Sequence, residues 1–540
     1  MGTGKSTYAT RQIRLAAERY GPDRVMACSF TKAAAVELAT KEVDGRKADI
    51  PRQMIGTLHS LCYRALEMPP LAEGHVGDFN AAHPEYLLSE ARKPDVEDLG
   101  AADGGEDGTS SDKLSSHYQL LRARCVDRDA WPIAVQGFAR AWEGWKDSHG
   151  AFDFTDLIEH GPATPPGNPK VLFADETQDF NALEMQLLRR WVPHLEAFVC
   201  LLDDDQTIFS HSGADPRVIV DAPVPAENRI VLKQSYRLPR AVHRYASVWI
   251  AKVSRRQAKE FLPRDADGAV TMADASLRFP GEEMARVKAT VDQGKSVMVL
   301  ASCGYMLNGW IAALRDAGVP FANPYRPNRG SWNPLNRSEG GAAQRVSSFV
   351  AAENGQPYWT MFNMAQWCGL LKAEGLLKRG AKAEIARLGE DQPSYRPGVA
   401  EMLERWLDGP LAAMVAGAAR DGTWPSLEGL RFLGEHAMAA KQKPVSYAGS
   451  IAGAAIARGG NPRLELAMPP KVCVGTVHST KGAEADVVYL APDLSPQAAE
   501  AWHRSAEGRD EVRRVFYVGI TRAREELRLL RPGGRLSVDF

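Results

Sequence analysis

Two stretches far apart in the chain carry residue types suited to handling the phosphates of a nucleotide. The first residues, Met1-Gly2-Thr3-Gly4-Lys5-Ser6-Thr7, read as the back half of the phosphate-cradling loop G-x-x-x-x-G-K-[ST]. In such a loop, successive backbone N–H groups and the N-terminus of the next helix surround the phosphates. Gly2, Gly4 and Thr7 would then line the cradle, Lys5 would reach the β and γ oxygens, and the Ser6 hydroxyl would hold Mg²⁺. The second stretch, Val171-Leu172-Phe173-Ala174, is an apolar run that delivers Asp175, Glu176, Gln178 and Asp179 at its C-terminal end, where α/β sheets place their chemistry. One carboxylate, Asp175, can hold Mg²⁺ while its neighbour, Glu176, polarises an attacking water. Taken singly, a chance G-K-S match and a solvated acidic turn after a core strand are the plainer readings.

Several elements must position these groups. Ser6 to Tyr20 reads as a helix with Ile13, Leu15 and Ala16 on its apolar side, stopped by Gly21-Pro22. Arg24 to Phe30, Ser296 to Ala301, Val472 to Gly475, Asp486 to Leu490 and Glu526 to Leu530 read as strands, and Tyr305 to Ala317 as a helix. Gly100 to Ser116 is rich in Gly, Asp and Ser and reads as a flexible loop, and Asn323 to Gly341 as a linker. Trp131, Phe138, Trp142 and Trp145 recur at near-helical spacing and are expected to pack helices rather than stack on bases.

At 540 residues, the chain is too long for one core, and ~150 residues per domain suggests roughly three to four units. Hydrophobic residues at 44% and charged residues at 25% exclude wholesale disorder and a membrane protein. A net charge of −1 means that any surface for a polyanion must be local rather than a property of the whole molecule. The seven scattered cysteines form no C-x-x-C pair and are expected to be mostly buried thiols. With no apolar run of membrane-spanning length and no basic-then-apolar leader, the expected place is the cytoplasm, without a membrane partner.

Together with further strings in the same order, these residues resemble the UvrD/Rep/PcrA-like group of superfamily 1 DNA helicases across most of the chain. Ser29-Phe30-Thr31-Lys32-Ala33-Ala34-Ala35 is similar to motif Ia and Gly56-Thr57-Leu58-His59-Ser60 to motif Ib. Asp175-Glu176-Thr177-Gln178-Asp179 is similar to motif II, and Asp203-Asp204-Asp205-Gln206-Thr207-Ile208-Phe209 to motif III. Gln234-Ser235-Tyr236-Arg237 resembles motif IV, Thr476 to Glu484 motif V, and Tyr517 to Arg524 motif VI.

The resemblance implies an α/β fold of two RecA-like parallel-sheet motor lobes of the P-loop NTPase type, each interrupted by a mostly helical insert. The expected boundaries are 1–66 with 151–225 for the first lobe and 67–150 for its insert. The second lobe is expected at 226–330 with 466–540, and its insert at 331–465. The implied cofactors are ATP and Mg²⁺, the latter on Ser6 and Asp175. The implied catalytic residues are Glu176, Gln206 as γ-phosphate sensor, and Arg237 and Arg522 as arginine fingers. Nucleotide contacts would come from Gly2, Gly4, Lys5, Ser6, Thr7, Gln178, Tyr236 on the adenine, Gly482, and Glu484 near the ribose. DNA contacts would come from Phe30, Thr31, Thr57, His59, Phe209, His211, Thr476 and His478. The implied activity is translocation on single-stranded DNA, 3′ to 5′, with unwinding of duplex DNA, alongside repair or replication proteins. In isolation, several of these residues have duller readings: Tyr236-Arg237 as a helix-start aromatic beside a surface cation, Phe30 as the last core residue of a strand, and His478 as a loop histidine.

Two departures stand out. Motif III carries His211 and Ser212 where the family usually has an aromatic and then Arg. The strand that should precede Gly2 and the upstream glutamine motif that reads adenine are missing, so a truncated start is expected, leaving an open apolar slot in the sheet. The alternative is a catalytically silent nucleic-acid-binding module; a small-molecule kinase fits less well. No C-terminal nuclease is expected.

Overall fold

The computed structural model describes all residues except 1, 44, 48, 90–108, 215–223, 328, 336, 338–339, 351–358 and 425–426, together with the side chains of Lys32, Ala33, Ala39, His211 and Ala226. The chain divides into two compact units, Met1–Ala269 with Pro496–Glu525 and Val270–Ser495 with Glu526–Phe540. The boundary expected at 225/226 lies inside the first unit, which also takes in the segment bearing Arg522.

The first unit is built on a four-stranded sheet. Its strands are β1 (Val25–Ser29), β2 (Ile55–Gly56), β3 (Val171–Asp175) and β4 (Ala197–Leu201), in the order β2-β1-β3-β4. Every pairing is parallel, and Ser29 stands in register with Asp175, which in turn pairs with Leu201. β1 and β3 are buried along their whole length, as expected of parallel strands covered on both faces by helices. Pairing is continuous across these strands, so among the described residues no open slot interrupts the sheet, against the expectation. β4, at the edge, is the most exposed strand: only Leu201 is buried, with Phe198 and Val199 partly buried against the core.

The helices are placed by local chemistry. α1 (Lys5–Tyr20) starts from Gly4 in the left-handed region at φ 77° and ends at Gly21, whose N–H donates to Ala17 O. α2 (Lys32–Thr40) and α3 (Leu58–Ala65) are capped by Thr31 and Thr57, whose hydroxyls accept from the N–H groups of Ala34 and Ser60, a bond worth ~1 kcal/mol each. Between α3 and β3, Trp131, Phe138, Trp142 and Trp145 are buried in a separate aromatic core with Phe79 and Tyr118. The flexible loop expected over Gly100 to Ser116 is corrected in its second half: residues 100–108 lie outside the described ones, but Ser110–Ala123 is a helix whose Thr109 cap and Asp112 form a reciprocal capping box.

The second unit carries the strands β5 (Ala269–Met272), β6 (Val297–Ala301), β7 (Phe321–Ala322), β8 (Val472–Thr476), β9 (Ala485–Leu490) and β10 (Ala523–Leu529) in the order β5-β10-β9-β6-β8-β7. β6 pairs in parallel with both β8 and β9, and β7 with β8. From Ala342 to Ala467, the described elements are all helices; their aromatic centre of Phe349, Trp359, Trp367 and Trp424 is continuous with the core under this sheet. The cysteines divide between core and surface: Cys28, Cys62 and Cys368 are buried, but Cys125 and Cys200 are exposed, against the expectation of mostly buried thiols.

Candidate active site

The strand tips of the first sheet bring the two phosphate-handling strings together. Lys5 Nζ lies 3.3 Å from Glu176 Oε1. Burial works to lower the pKa of the Lys5 ammonium, but Glu176, Asp203 and Asp175 outweigh it and hold it above its ordinary value. Glu176 takes a left-handed backbone at φ 51°, which costs a non-glycine residue about 1–2 kcal/mol. This turns its carboxylate between Lys5 and the Gln178 amide, which donates to Oε2 at 2.6 Å. Gln178 is wholly buried, and its Oε1 accepts from the Asp203 N–H at 3.0 Å, tying the end of β3 to the segment after β4.

From Asp203 the polar chain continues. Gln206 Nε2 donates to Asp203 Oδ2 at 2.6 Å, and Gln206 Oε1 accepts from Arg522 Nη2 at 3.4 Å. Arg522 is 1% exposed and also donates from Nε to Val518 O at 2.9 Å. It stands just past the C-terminal end of the helix Ala506–Ile520, in the same compact unit as the sheet. A guanidinium expected from a separate lobe thus sits within one unit, bonded to the residue read as the phosphate sensor.

The glycines of the cradle press against the motif IV string. Gly2 and Gly4 both have positive φ. A Cβ on Gly2 would lie 2.5 Å from Arg237 Cβ, and one on Gly4 would lie 3.6 Å from the Tyr236 ring, so at Gly2 only glycine fits. The Tyr236 N–H donates to Gly2 O at 2.8 Å, while its side chain is among the most exposed aromatics, at 72%. The Arg237 carbonyl accepts from Arg264 Nε at 3.0 Å. Ser6 and Thr7 stand in the first turn of α1 and are half-buried.

One carboxylate in this cluster has unused bonding capacity. Asp175 is buried, and its Oδ1 has no hydrogen-bond partner among the described residues; the same holds for Ser29 Oγ, in register on the next strand. Burial and the adjacent Glu176 push the Asp175 carboxyl up to about 6. Two buried hard oxygen donors left unmet fit a Mg²⁺ ion and its waters.

A model described as an AAA domain matches residues 1–212, and one described as the UvrD-like helicase C-terminal domain matches residues 451–530. The ATP-dependent DNA helicase UvrD2 of Mycobacterium tuberculosis is 25% identical over 586 residues, covering 99% of this chain and 77% of the relative. The same organism's ATP-dependent DNA helicase UvrD1 is 27% identical over 296 residues, 48% of this chain and 37% of the relative. YjcD of Bacillus subtilis is 23% identical over 315 residues, 51% of this chain and 41% of its own length. Over both matched regions the chain is similar to UvrD-like superfamily 1 DNA helicases.

This UvrD-like chain holds the expected DNA-contact residues in two places. Phe30 and Phe209 lie against each other, ring centroids 4.9 Å apart, with Phe209 buried. Thr31 and Thr57 spend their hydroxyls on helix caps, and Thr57 is buried. His59 lies 3.7 Å from Glu184 Oε1, and burial lowers its pKa to about 4. The side chain of His211 lies outside the described residues. Thr476, His478, Gly482 and Glu484 belong to the second unit. There the buried Thr476 hydroxyl accepts from the Ser479 N–H at 3.1 Å, Gly482 turns at φ 88°, and Glu484 is exposed.

Sequence reasoning missed Ser29 as a donor beside Asp175, and it missed Arg256 and Lys259, which bond the aspartates after β4. The available signal was charge: three consecutive aspartates after an apolar strand cannot be buried without cations. That requirement does not say which cations supply the balance.

Proposed function

We propose that this protein is an ATP- and Mg²⁺-dependent motor that moves along single-stranded DNA, 3′ to 5′, and separates duplex strands. The observation that carries the reading is the unbroken polar chain from Lys5 through Glu176, Gln178, Asp203 and Gln206 to Arg522. Lys5 as phosphate ligand, Glu176 as base and Arg522 as arginine finger, linked in this way, would meet what phosphoryl transfer requires. Helicase relatives that match almost the whole chain support it.

In this reading, the Gly2–Thr7 loop and the start of α1 receive the phosphates, and Lys5 neutralises their charge. Glu176, held by its left-handed backbone, accepts a proton from water. Arg522 and Arg237 offset the charge that develops on the transferred group, a contribution of ~10³ to 10⁵ in rate. Asp175, Ser29 and Ser6 would hold Mg²⁺, which when bound supplies charge neutralisation at the phosphate oxygens. The exposed Tyr236 ring offers a face to the adenine. In this reading the two lobes and their helical inserts stand, except that residues 226–269 and the segment bearing Arg522 go with the first unit; Phe30 and Phe209 stack on bases, and Thr476 and His478 touch the DNA backbone.

The test is ATP hydrolysis by the full chain with and without single-stranded DNA, over a salt series. Hydrolysis should rise on adding DNA, and the DNA concentration needed should climb steeply with salt. A basal rate unmoved by DNA would sink the motor reading, and nucleotide binding without turnover would favour the silent module.

A further inference from the structure

Asp203, Asp204 and Asp205 are all buried, and their carboxylates lie within 4.8 Å of one another. That spacing suits a metal ion, yet the protein's own donors already meet them. Lys259 Nζ lies 2.8 Å from Asp203 Oδ1 and 3.1 Å from Asp205 Oδ2, and it also bonds Asp204. Arg256 grips Asp205 with two bonds of 2.8 and 2.7 Å, and the Gln257 N–H donates to Asp204 at 2.8 Å.

The three aspartates are not equivalent. Asp204 and Asp205 have these other donors, whereas Asp203 faces the nucleotide side. Its carboxylate accepts from Gln206, its N–H donates to Gln178, and its charge acts on Lys5. Without a cation behind it, Asp203 would be a third uncompensated carboxylate beside Lys5, after Asp175 and Glu176. It would compete with phosphate oxygens for that lysine and repel the anion itself. Lys259 supplies the missing charge, and its three carboxylates outweigh burial in keeping it protonated.

Given the nucleotide site inferred above, we propose that Lys259 is a positioning residue. It neutralises Asp203 so that Lys5 and Gln206 can engage the terminal phosphate of a nucleoside triphosphate. The rival is a plain staple, an ion pair that only anchors residues 256–259 to the segment after β4.

Removing each charge singly and together separates the two. Binding of fluorescent ATP and ADP analogues to the full chain would be titrated for wild type, Lys259→Met, Lys259→Arg, Asp203→Asn and the Asp203→Asn/Lys259→Met pair, with melting curves recorded without nucleotide. Lys259→Met should weaken triphosphate binding about tenfold or more, and diphosphate binding less. The pair should return to within about threefold of wild type even though it lacks the ion pair, because the unmatched charge is gone. Lys259→Arg should stay close to wild type, and Asp203→Asn should bind at least as tightly. A lower melting temperature with unchanged affinity, an equal loss for both nucleotides, or a pair as weak as Lys259→Met alone would overturn the proposal. If Lys259→Met does not fold, Asp203→Asn and the pair still decide it: weakened binding in both overturns it. Wild type binding neither analogue would instead remove the nucleotide site itself.

Discussion

Two clusters of buried charge in the first unit invite comparison. One lies at the strand tips around Asp175; the other joins Ser110–Ala123 and Ile133–His149 to the short helix Phe154–Glu159. In the second cluster, Arg122 donates to Asp153 at 3.0 Å and to Asp156 at 2.6 Å. Lys146 bonds both carboxylates, and Trp142 Nε1 donates to Asp153 at 2.9 Å. The two aspartates also cap their helix reciprocally, so all four oxygens are used. At the strand tips, by contrast, Asp175 Oδ1 and Ser29 Oγ are unmet, Glu176 carries a left-handed backbone, and the Tyr236 ring faces solvent. Buried aspartates beside cations therefore mean different things in the two places. Where the aspartates' bonding capacity is exhausted, as at Asp153 and Asp156, they form a clamp; where it is left over and strain is stored, as at Asp175 and Glu176, the cluster awaits a ligand.

The largest effect should come from the chemistry side of this contrast. Glu176→Gln is expected to lower ATP turnover by about 10²–10⁴, the usual contribution of a general base. Binding of nucleotide and DNA should survive, as fluorescence titration would show. An equal loss of binding would turn the strand-tip cluster into another clamp.

Arg122→Met should do the reverse. Leaving Asp153 and Asp156 buried without their guanidinium is expected to cost about 3–5 kcal/mol, read as a shift in the urea midpoint. Nucleotide affinity of the folded protein should not change, and if it did, the two clusters would be energetically one.

Proton linkage sharpens the distinction further. The folded Asp175 carboxyl sits near 6 rather than 3.8, so between those values the folded chain binds more protons than the unfolded one. Without divalent ion, this group adds stability as pH falls through that window and removes it as pH rises. Binding of Mn²⁺ requires the carboxylate, so affinity measured by electron paramagnetic resonance should drop about tenfold per pH unit below 6. A flat profile from pH 7 to 5 would take Asp175 out of the metal site.

The smallest expected effect belongs to a neutral pair near α3. Glu184 is raised by burial from 4.5 to about 7, and His59 is lowered by burial from 6.5 to about 4. Between roughly pH 4.5 and 6.5, the first makes the folded state gain protons and the second makes the unfolded state gain them, so their slopes cancel. His59→Asn should unmask Glu184: stability of the variant, relative to wild type, should fall by about 1–3 kcal/mol from pH 4.5 to 6.5 in paired urea titrations. A parallel pH profile would show that the histidine titrates normally.

How far the site was legible can be judged from individual residues. Lys5, Asp175 and Glu176 were readable because strand-edge chemistry needs those residue types at those spacings, and the structure brings them within bonding reach. The caps at Thr31 and Thr57 were equally local, but a hydroxyl before a helix looks the same whether it serves a backbone N–H or a ligand. The capping box at Thr109 and Asp112 was also present in the sequence and was masked by the Gly/Asp/Ser composition around it. Lys259 was not legible, because its meaning depends on a contact with Asp203 across more than fifty intervening residues.

The sequence alone determined the likeness to UvrD-like helicases, the parallel α/β character and the inventory of phosphate-handling side chains, since these rest on residue type and short-range spacing. Only the tertiary structure decided that Arg522 joins the first sheet's unit, that β4 is the exposed edge strand, and that the aspartates after it are already neutralised. Those are facts about which distant segments share a low-dielectric space. The energy of a buried charge is set by the groups around it, not by its neighbours along the chain.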